Sequence, residues 1–169
     1  MLQTKISLIP AAYEDLDTIL AIERSSENFQ YVGHWKRSQH EAAISNPDIA
    51  HLKVVVENEI VGYLILVGII NPDKSIQLKR IAIEQKGCGF GRQAIRLAKK
   101  MVFDRLKAHR FWLDVMVHNK RAYTLYRSEG FIEEGIIREA IKQQDCFIDL
   151  KLMSILEQEY KSKRLWVEE

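Results

Sequence analysis

Cysteine is scarce in this chain, two residues in 169. Cys88 and Cys146 are too few for a disulfide framework, and their spacing matches no metal motif. The five histidines stand singly, without a ligand pair on one helix, so no metal is expected. Long apolar runs are missing too: nothing approaches the ~18 residues of a membrane span. The opening "MLQTKISLIP" lacks the basic, apolar, small-residue order of a secretory leader. The expectation is a reduced, cytoplasmic protein with no membrane contact. Nor does one sign of charge prevail, since 25 basic and 23 acidic residues leave a net +2. A nucleic-acid partner is therefore not expected, because phosphate binding needs clustered Lys and Arg. The most basic stretch, "RLAKKMVFDRLKAHR", spreads its charges around a helix and reads as a solvated face. No repeat, linker or low-complexity segment divides the chain. With 47% hydrophobic residues it reads as one globular domain over residues 1–169.

The apolar periodicity sets out the elements. "TKISLIP" alternates and stops at Pro10, as a first strand would. From Tyr13, "YEDLDTILAIER" carries a helical stripe of Leu16, Ile19, Leu20 and Ile22, and "SQHEAAISN" a shorter helix. "HLKVVVE" and "IVGYLILVGII" form a hairpin around Asn58 and Glu59, and "SIQLKRIAI" adds a third antiparallel strand. A long helix follows in "RQAIRLAKKMVFDRLKAH", then the strand "RFWLDVMVHN" and the helix "NKRAYTLYRSEG". "FIEEGIIREAI" and "CFIDLKLMSIL" close the sheet as a hairpin across "KQQD", and the tail "EQEYKSKRLWVEE" is expected to fray. The fold class is α/β (α+β): a mixed, mostly antiparallel sheet of about seven strands with about four helices.

Within this order, "IAIEQKGCGFGRQA" puts three alternating glycines where a strand turns into a helix. The orphan N–H groups and dipole of a helix start favour an anion, and missing Cβ atoms let it approach the backbone. A tight corner would need only one glycine at positive φ. Gly89 to Ala94 formally matches the dinucleotide fingerprint, with Asp114 about 20 residues further on. A dinucleotide fold, however, wants that fingerprint at its first strand, and here an antiparallel meander precedes it. No Gly-Lys-Ser/Thr follows, which excludes a Walker loop.

Two motifs resemble the GNAT superfamily of acetyl-CoA-dependent N-acetyltransferases. Lys86-x-x-Gly89-x-Gly91 is similar to its Gln/Arg-x-x-Gly-x-Gly/Ala cofactor loop, with lysine replacing the usual first residue. "HNKRAYTLYRSEGF" is similar to its Asn-Ala-Leu-Tyr-Gly-Phe helix through Asn119, Ala122, Leu125, Tyr126, Gly130 and Phe131. The segment "EEGIIREAIKQQDCFIDLKLMSIL" resembles the branch holding ribosomal-protein N-terminal and spermidine acetyltransferases.

The resemblance implies direct acetyl transfer from acetyl-CoA, as co-substrate, to an amine acceptor. The backbone of Ile81, Ala82 and Ile83 would meet the pantetheine arm. The loop of Gly87, Cys88, Gly89, Phe90, Gly91 and Arg92 would take the pyrophosphate, with Lys86 and Arg92 as added positive charge. Asn119 would hydrogen-bond the pantetheine, and Tyr126 would protonate the departing sulfur. Asp114, His118, Glu84 or solvent could serve as base. On a regular strand His118 and Asn119 could not both face the cofactor, and Asp114 is equally well a sheet-edge or helix-pairing charge. Cys88 as a nucleophile lies at the wrong end of the cofactor.

The acceptor is either a small-molecule amine or a protein N-terminus, and residues 25–36 should cross its mouth. There Glu27 could attract a cation, while Phe29, Tyr31 and Trp35 either wall the site or plug the core. A homodimer is a candidate assembly. A non-catalytic acyl-CoA-binding module would share the glycine loop but would not need Tyr126.

Overall fold

The computed structural model describes residues 4–165. Among them seven strands form one sheet: β1 (Ser7–Pro10), β2 (Ile49–Val56), β3 (Glu59–Val67), β4 (Ser75–Ile83), β5 (Arg110–Met116), β6 (Ile132–Gln143) and β7 (Cys146–Leu156). Their order is β1-β2-β3-β4-β5-β7-β6. Every pairing is antiparallel except β4 with β5, the pair joined through the helix that follows the glycines. The helices are α1 (Leu16–Glu23), α2 (Arg37–Ser45), α3 (Phe90–Lys100), α4 (Lys120–Ser128) and α5 (Glu157–Leu165).

β3 explains the two-layered packing. Its run "EIVGYLILV" is apolar at nearly every position because both of its faces are covered. Leu64 and Leu66 enter a core with Ile95, Phe103 and Phe111, on the side of α3 and α4. Tyr63 and Ile65 point the other way, into a smaller core with Leu16, Ile19 and Ile22 of α1.

Local chemistry moves several boundaries. The β2–β3 turn is Glu57–Asn58 rather than Asn58–Glu59, with φ of 48° and 72°, the two positive values of a type I′ hairpin. A 3-10 turn at Tyr13–Asp15 precedes α1, and Asp15 accepts from the Ala12 N–H at 2.8 Å. The long third helix is not α-helical throughout. α3 ends at Lys100 and Met101–Arg105 form one π turn, with Leu106 N–H donating to Met101 O at 2.9 Å. That wider turn brings Val102 and Phe103 together into the core. The expected fraying of the tail is also corrected for its described part, α5. Tyr160 stacks on Phe103, ring centroids 4.8 Å apart, and its hydroxyl bonds Asp104 at 3.1 Å. Residues 166–169 of that tail lie outside the described residues.

Candidate active site

The site begins where β4 and β5 part. The two strands pair only at Ser75–Gln77 with Arg110–Trp112, and beyond that they diverge. Lys79 has no partner across β3, because the register steps from Ile65–Arg80 to Leu66–Leu78, and this bulge bends β4 away from β5. At the crotch of the fork, Gln77 Nε2 donates to Asp114 Oδ2 at 3.2 Å. Past the crotch opens a cavity of about 890 Å³. Its walls include Ile81 and Ile83 from β4, Asp114 and Met116 from β5, and the glycine loop.

That loop is shaped for an anion. Gly87 and Gly89 both have left-handed backbone, φ +82° and +78°, and Gly89 caps α3. A Cβ on Gly87 would meet nothing within 4 Å, whereas one on Gly91 would touch Leu125 and Ile83 at ordinary distances of 3.6 and 3.8 Å. The fold itself thus needs two of the three glycines. The third keeps the first turn of α3 bare beside the cavity, so the residues present fit a pyrophosphate.

Lys86, Phe90 and Arg92 line the cavity as well, and the two cations are also bonded within the protein. Lys86 Nζ donates to Ile83 O at 2.7 Å and to Asn28 Oδ1, and burial, with Arg121 nearby, lowers its pKa. Arg92 donates to Ser128 Oγ at 2.9 Å and Glu129 Oε1 at 2.6 Å. Glu129 is buried and shared with Arg96 and Lys99, so Arg92 is held by a carboxylate that leaves the cluster net positive. Cys88 is exposed on the loop's outer side. Phe90 is buried in the larger core, and Ala82 in the smaller one.

Tyr126 enters from α4 and reaches the same cavity, packed edge-on against Phe131 at 5.9 Å. Burial, reinforced by the charge of Asp114, pushes its phenol well above the usual tyrosine range, so it keeps its proton. Burial likewise raises the Asp114 carboxyl, against the opposing pull of Lys79 and Gln77. β5 lies between β4 and β7, which removes the sheet-edge reading of Asp114. β5 ends at Met116, and the irregular turn after it lets both His118 and Asn119 line the cavity. Asn119 caps α4, its Oδ1 accepting from Ala122 N–H at 3.2 Å, which leaves its amide N–H groups for a ligand. Glu84 is exposed beyond the end of β4 and does not line the cavity.

A sequence model of the acetyltransferase (GNAT) family matches residues 10–131. The chain belongs to the GNAT family. Over 120 residues it is 33% identical to spermidine N(1)-acetyltransferase from Vibrio cholerae serotype O1, covering 69% of each chain. A crystal structure of spermidine N-acetyltransferase from Vibrio cholerae with CoA and spermine matches with a TM-score of 0.82 at 26% identity, over 92% of this chain and 97% of that one. A dodecameric structure of a spermidine N-acetyltransferase from the same organism matches at 0.78 and 26%, over 92% and 95%. This GNAT protein is thus an acetyl-CoA-dependent N-acetyltransferase with acetyl-CoA as co-substrate.

The turns after α1, residues 25–36, wall one side of this GNAT protein's cavity. Glu27, Tyr31, Val32 and Gly33 line the cavity, and the Tyr31 ring lies 5.9 Å from that of His118. The other two aromatics face away: Phe29 is exposed against His34, and Trp35 packs on the smaller core beneath the Arg80 guanidinium at 4.4 Å. Three residues that pin this wall carried no sequence signal. Asn28 ties it to Ile22 O at 3.0 Å and Ile83 O at 3.2 Å, Gln143 holds Gln30 O at 2.9 Å, and Arg80 holds Gly33 O. Behind Arg80, fully buried Glu23 accepts from Trp35 N–H at 2.8 Å and from the Tyr63 hydroxyl. Burial opposes ionisation of Glu23, yet bonds from His40, Tyr63 and Trp35 hold its pKa below the usual carboxylate range. Such a network is written in no local pattern, because its members meet only in the folded sheet. Among the described residues no group of three or more His, Cys, Asp or Glu is placed to hold a metal, and no helix is long and apolar enough to cross a membrane.

Proposed function

We propose that this chain acetylates a small primary amine by direct attack, with Tyr126 as general acid and Asp114 as base. The observation that carries the reading is the fork between β4 and β5, which brings the glycine loop, Tyr126 and Asp114 to one cavity. Acetyl-CoA supplies an activated thioester; the C–N bond forms, the C–S bond breaks, one proton leaves the amine and one reaches the sulfur. The chain's own groups do the rest. The backbone of Ile81, Ala82 and Ile83 and the free amide of Asn119 orient the pantetheine, and the loop from Gly87 to Arg92 holds the pyrophosphate through its N–H groups. Tyr126, protonated throughout the neutral range, presents its O–H to the sulfur as charge builds there. Asp114, shifted up by burial, takes the ammonium's proton directly or through one water and presents a neutral nucleophile. The Asp114 charge adds to burial in holding the phenol protonated, while burial alone raises the carboxyl.

Polyamines are the acceptor class that the relatives support, and Glu27 is the carboxylate in the cavity wall, besides the base Asp114, that would face an additional ammonium group. The test is thiol release from acetyl-CoA with spermidine, spermine, short peptides and simple alkylamines. Turnover is expected first with the polyamines. Absence of release with every amine, alongside tight acetyl-CoA binding in calorimetry, would replace the enzyme reading with a binding module.

A further inference from the structure

Lys86 opens the cofactor loop, yet its ammonium turns back into the protein. Two of its three N–H donors are committed, one to Ile83 O at 2.7 Å and one to Asn28 Oδ1. Asn28 belongs to the acceptor wall and is only 2% exposed. Its backbone carbonyl accepts from Tyr31 N–H at 3.0 Å and Val32 N–H at 2.9 Å, the two wall residues that face the cavity. A continuous run of bonds therefore passes from the cofactor loop, through one buried amide, to the surface that meets the amine. A lysine serving the pyrophosphate would aim its donors outward, and this one gives one donor to the end of its own strand and one to the acceptor wall.

We infer that Lys86 is a positioning residue for the acceptor: it braces Asn28 and so sets the Tyr31–Val32 wall of the amine site, leaving the phosphates to the loop backbone. The inference rests on the acetyltransferase reading above. Without Lys86 the buried Asn28 oxygen loses its donor, and the turn over Tyr31 and Val32 keeps the weaker Asn28 Nδ2 bond to Ile83 O but loses one of its ties to β4. Charge at this position is not the requirement; a hydrogen-bond donor is. Glutamine, which the GNAT loop pattern also admits here, should serve in part.

The test compares wild type, Lys86→Met and Lys86→Gln in three measurements. These are acetyl-CoA affinity by calorimetry, steady-state kinetics against the best amine, and hydrogen exchange of the amides of residues 28–32. For Lys86→Met the acceptor KM should rise about tenfold, as loss of a charge-assisted bond to a buried group implies. Acetyl-CoA affinity should stay within about threefold, and amide exchange at 28–32 should quicken. Lys86→Gln should recover most of both effects. The inference is overturned if Lys86→Met weakens acetyl-CoA about tenfold while acceptor KM and exchange stay put, the signature of a phosphate ligand. It is equally overturned if the glutamine variant behaves like methionine. Should wild type turn over no amine, the acetyltransferase reading fails separately, and the exchange measurement still decides whether Lys86 braces the wall.

Discussion

Acidification should destabilise this fold through one histidine, and the size of the effect can be worked out. His51 is 4% exposed on β2, stacked on Tyr63 with ring centroids 5.7 Å apart. Its Nε2 lies 2.9 Å from Nδ1 of His40, and two imidazole nitrogens at that distance share one proton and repel a second. Burial, with the neighbouring His40 imidazole, lowers its pKa to about 4 from 6.5, against the opposing charges of Glu23 and Asp15. Between these values the unfolded chain binds a proton that the folded one refuses. Stability therefore falls as pH drops through that window and levels off below about 4. The gap from 6.5 to about 4, at about 1.4 kcal/mol per pH unit, amounts to roughly 3 kcal/mol. About 2 kcal/mol of it is lost by pH 5, before most carboxylates titrate. The perturbation is His51→Gln, which keeps a donor toward His40 and removes the titration. Urea unfolding at pH 7.5 and pH 5 is the assay. With a slope of about 2 kcal/mol/M, the wild-type midpoint should fall about 1 M further than the variant's. Parallel losses in the two proteins would refute the assignment and place any acid sensitivity elsewhere.

Four further outcomes are expected. Tyr126→Phe should lower kcat about a hundredfold with acetyl-CoA affinity unchanged; an equal fall in affinity would make Tyr126 a packing residue only. In wild type, kcat/KM should fall on the acid side at a pH above the ordinary carboxylate range, and Asp114→Asn should lose that limb, both read from pH–rate profiles. Gly62→Ala places a Cβ 2.5 Å from Ala82 O and 2.6 Å from Ile83 Cδ1, so it should cost about 1–3 kcal/mol in urea unfolding and weaken acetyl-CoA in calorimetry. Glu129→Ala leaves Arg92 and Arg96 free to turn to water but leaves the mostly buried Lys99 with the residue 129 carbonyl and no counter-charge, a loss of about 2 kcal/mol in the same unfolding assay.

The glycine-loop side of the cavity was legible because it depends on local chemistry. Glycines at 87 and 89 are demanded by backbone sign, and Asn119, Tyr126 and Gly130 sit on one short helix and its caps. Strand order followed from alternation and short turns, as in the Glu57–Asn58 hairpin. The opposite wall of the cavity was not legible, because its parts meet across long separations. Asn28 finds Lys86, Glu23 finds Tyr63 and Arg80 finds Gly33 only once β3 and β4 are paired beneath α1. The same reason explains the tail: "EQEYKSKRL" is mostly polar, and the Phe103 ring waiting across the fold gives Tyr160 a place to pack.

The fork between β4 and β5 has a consequence for solubility. A strand that stops pairing midway exposes a ladder of unused donors and acceptors, and on a sheet's rim such a ladder recruits other chains. Here the ladder lies between two interior strands, each still paired on its far side, to β3 and to β7. The opening is closed below by the Gln77–Asp114 bond and flanked by the glycine loop and α4. A narrow chain bearing a few amides can slide in end-on, but a neighbouring protein's strand cannot lie alongside. The protein thus keeps an unpaired ladder inside its sheet while hiding it from its own copies.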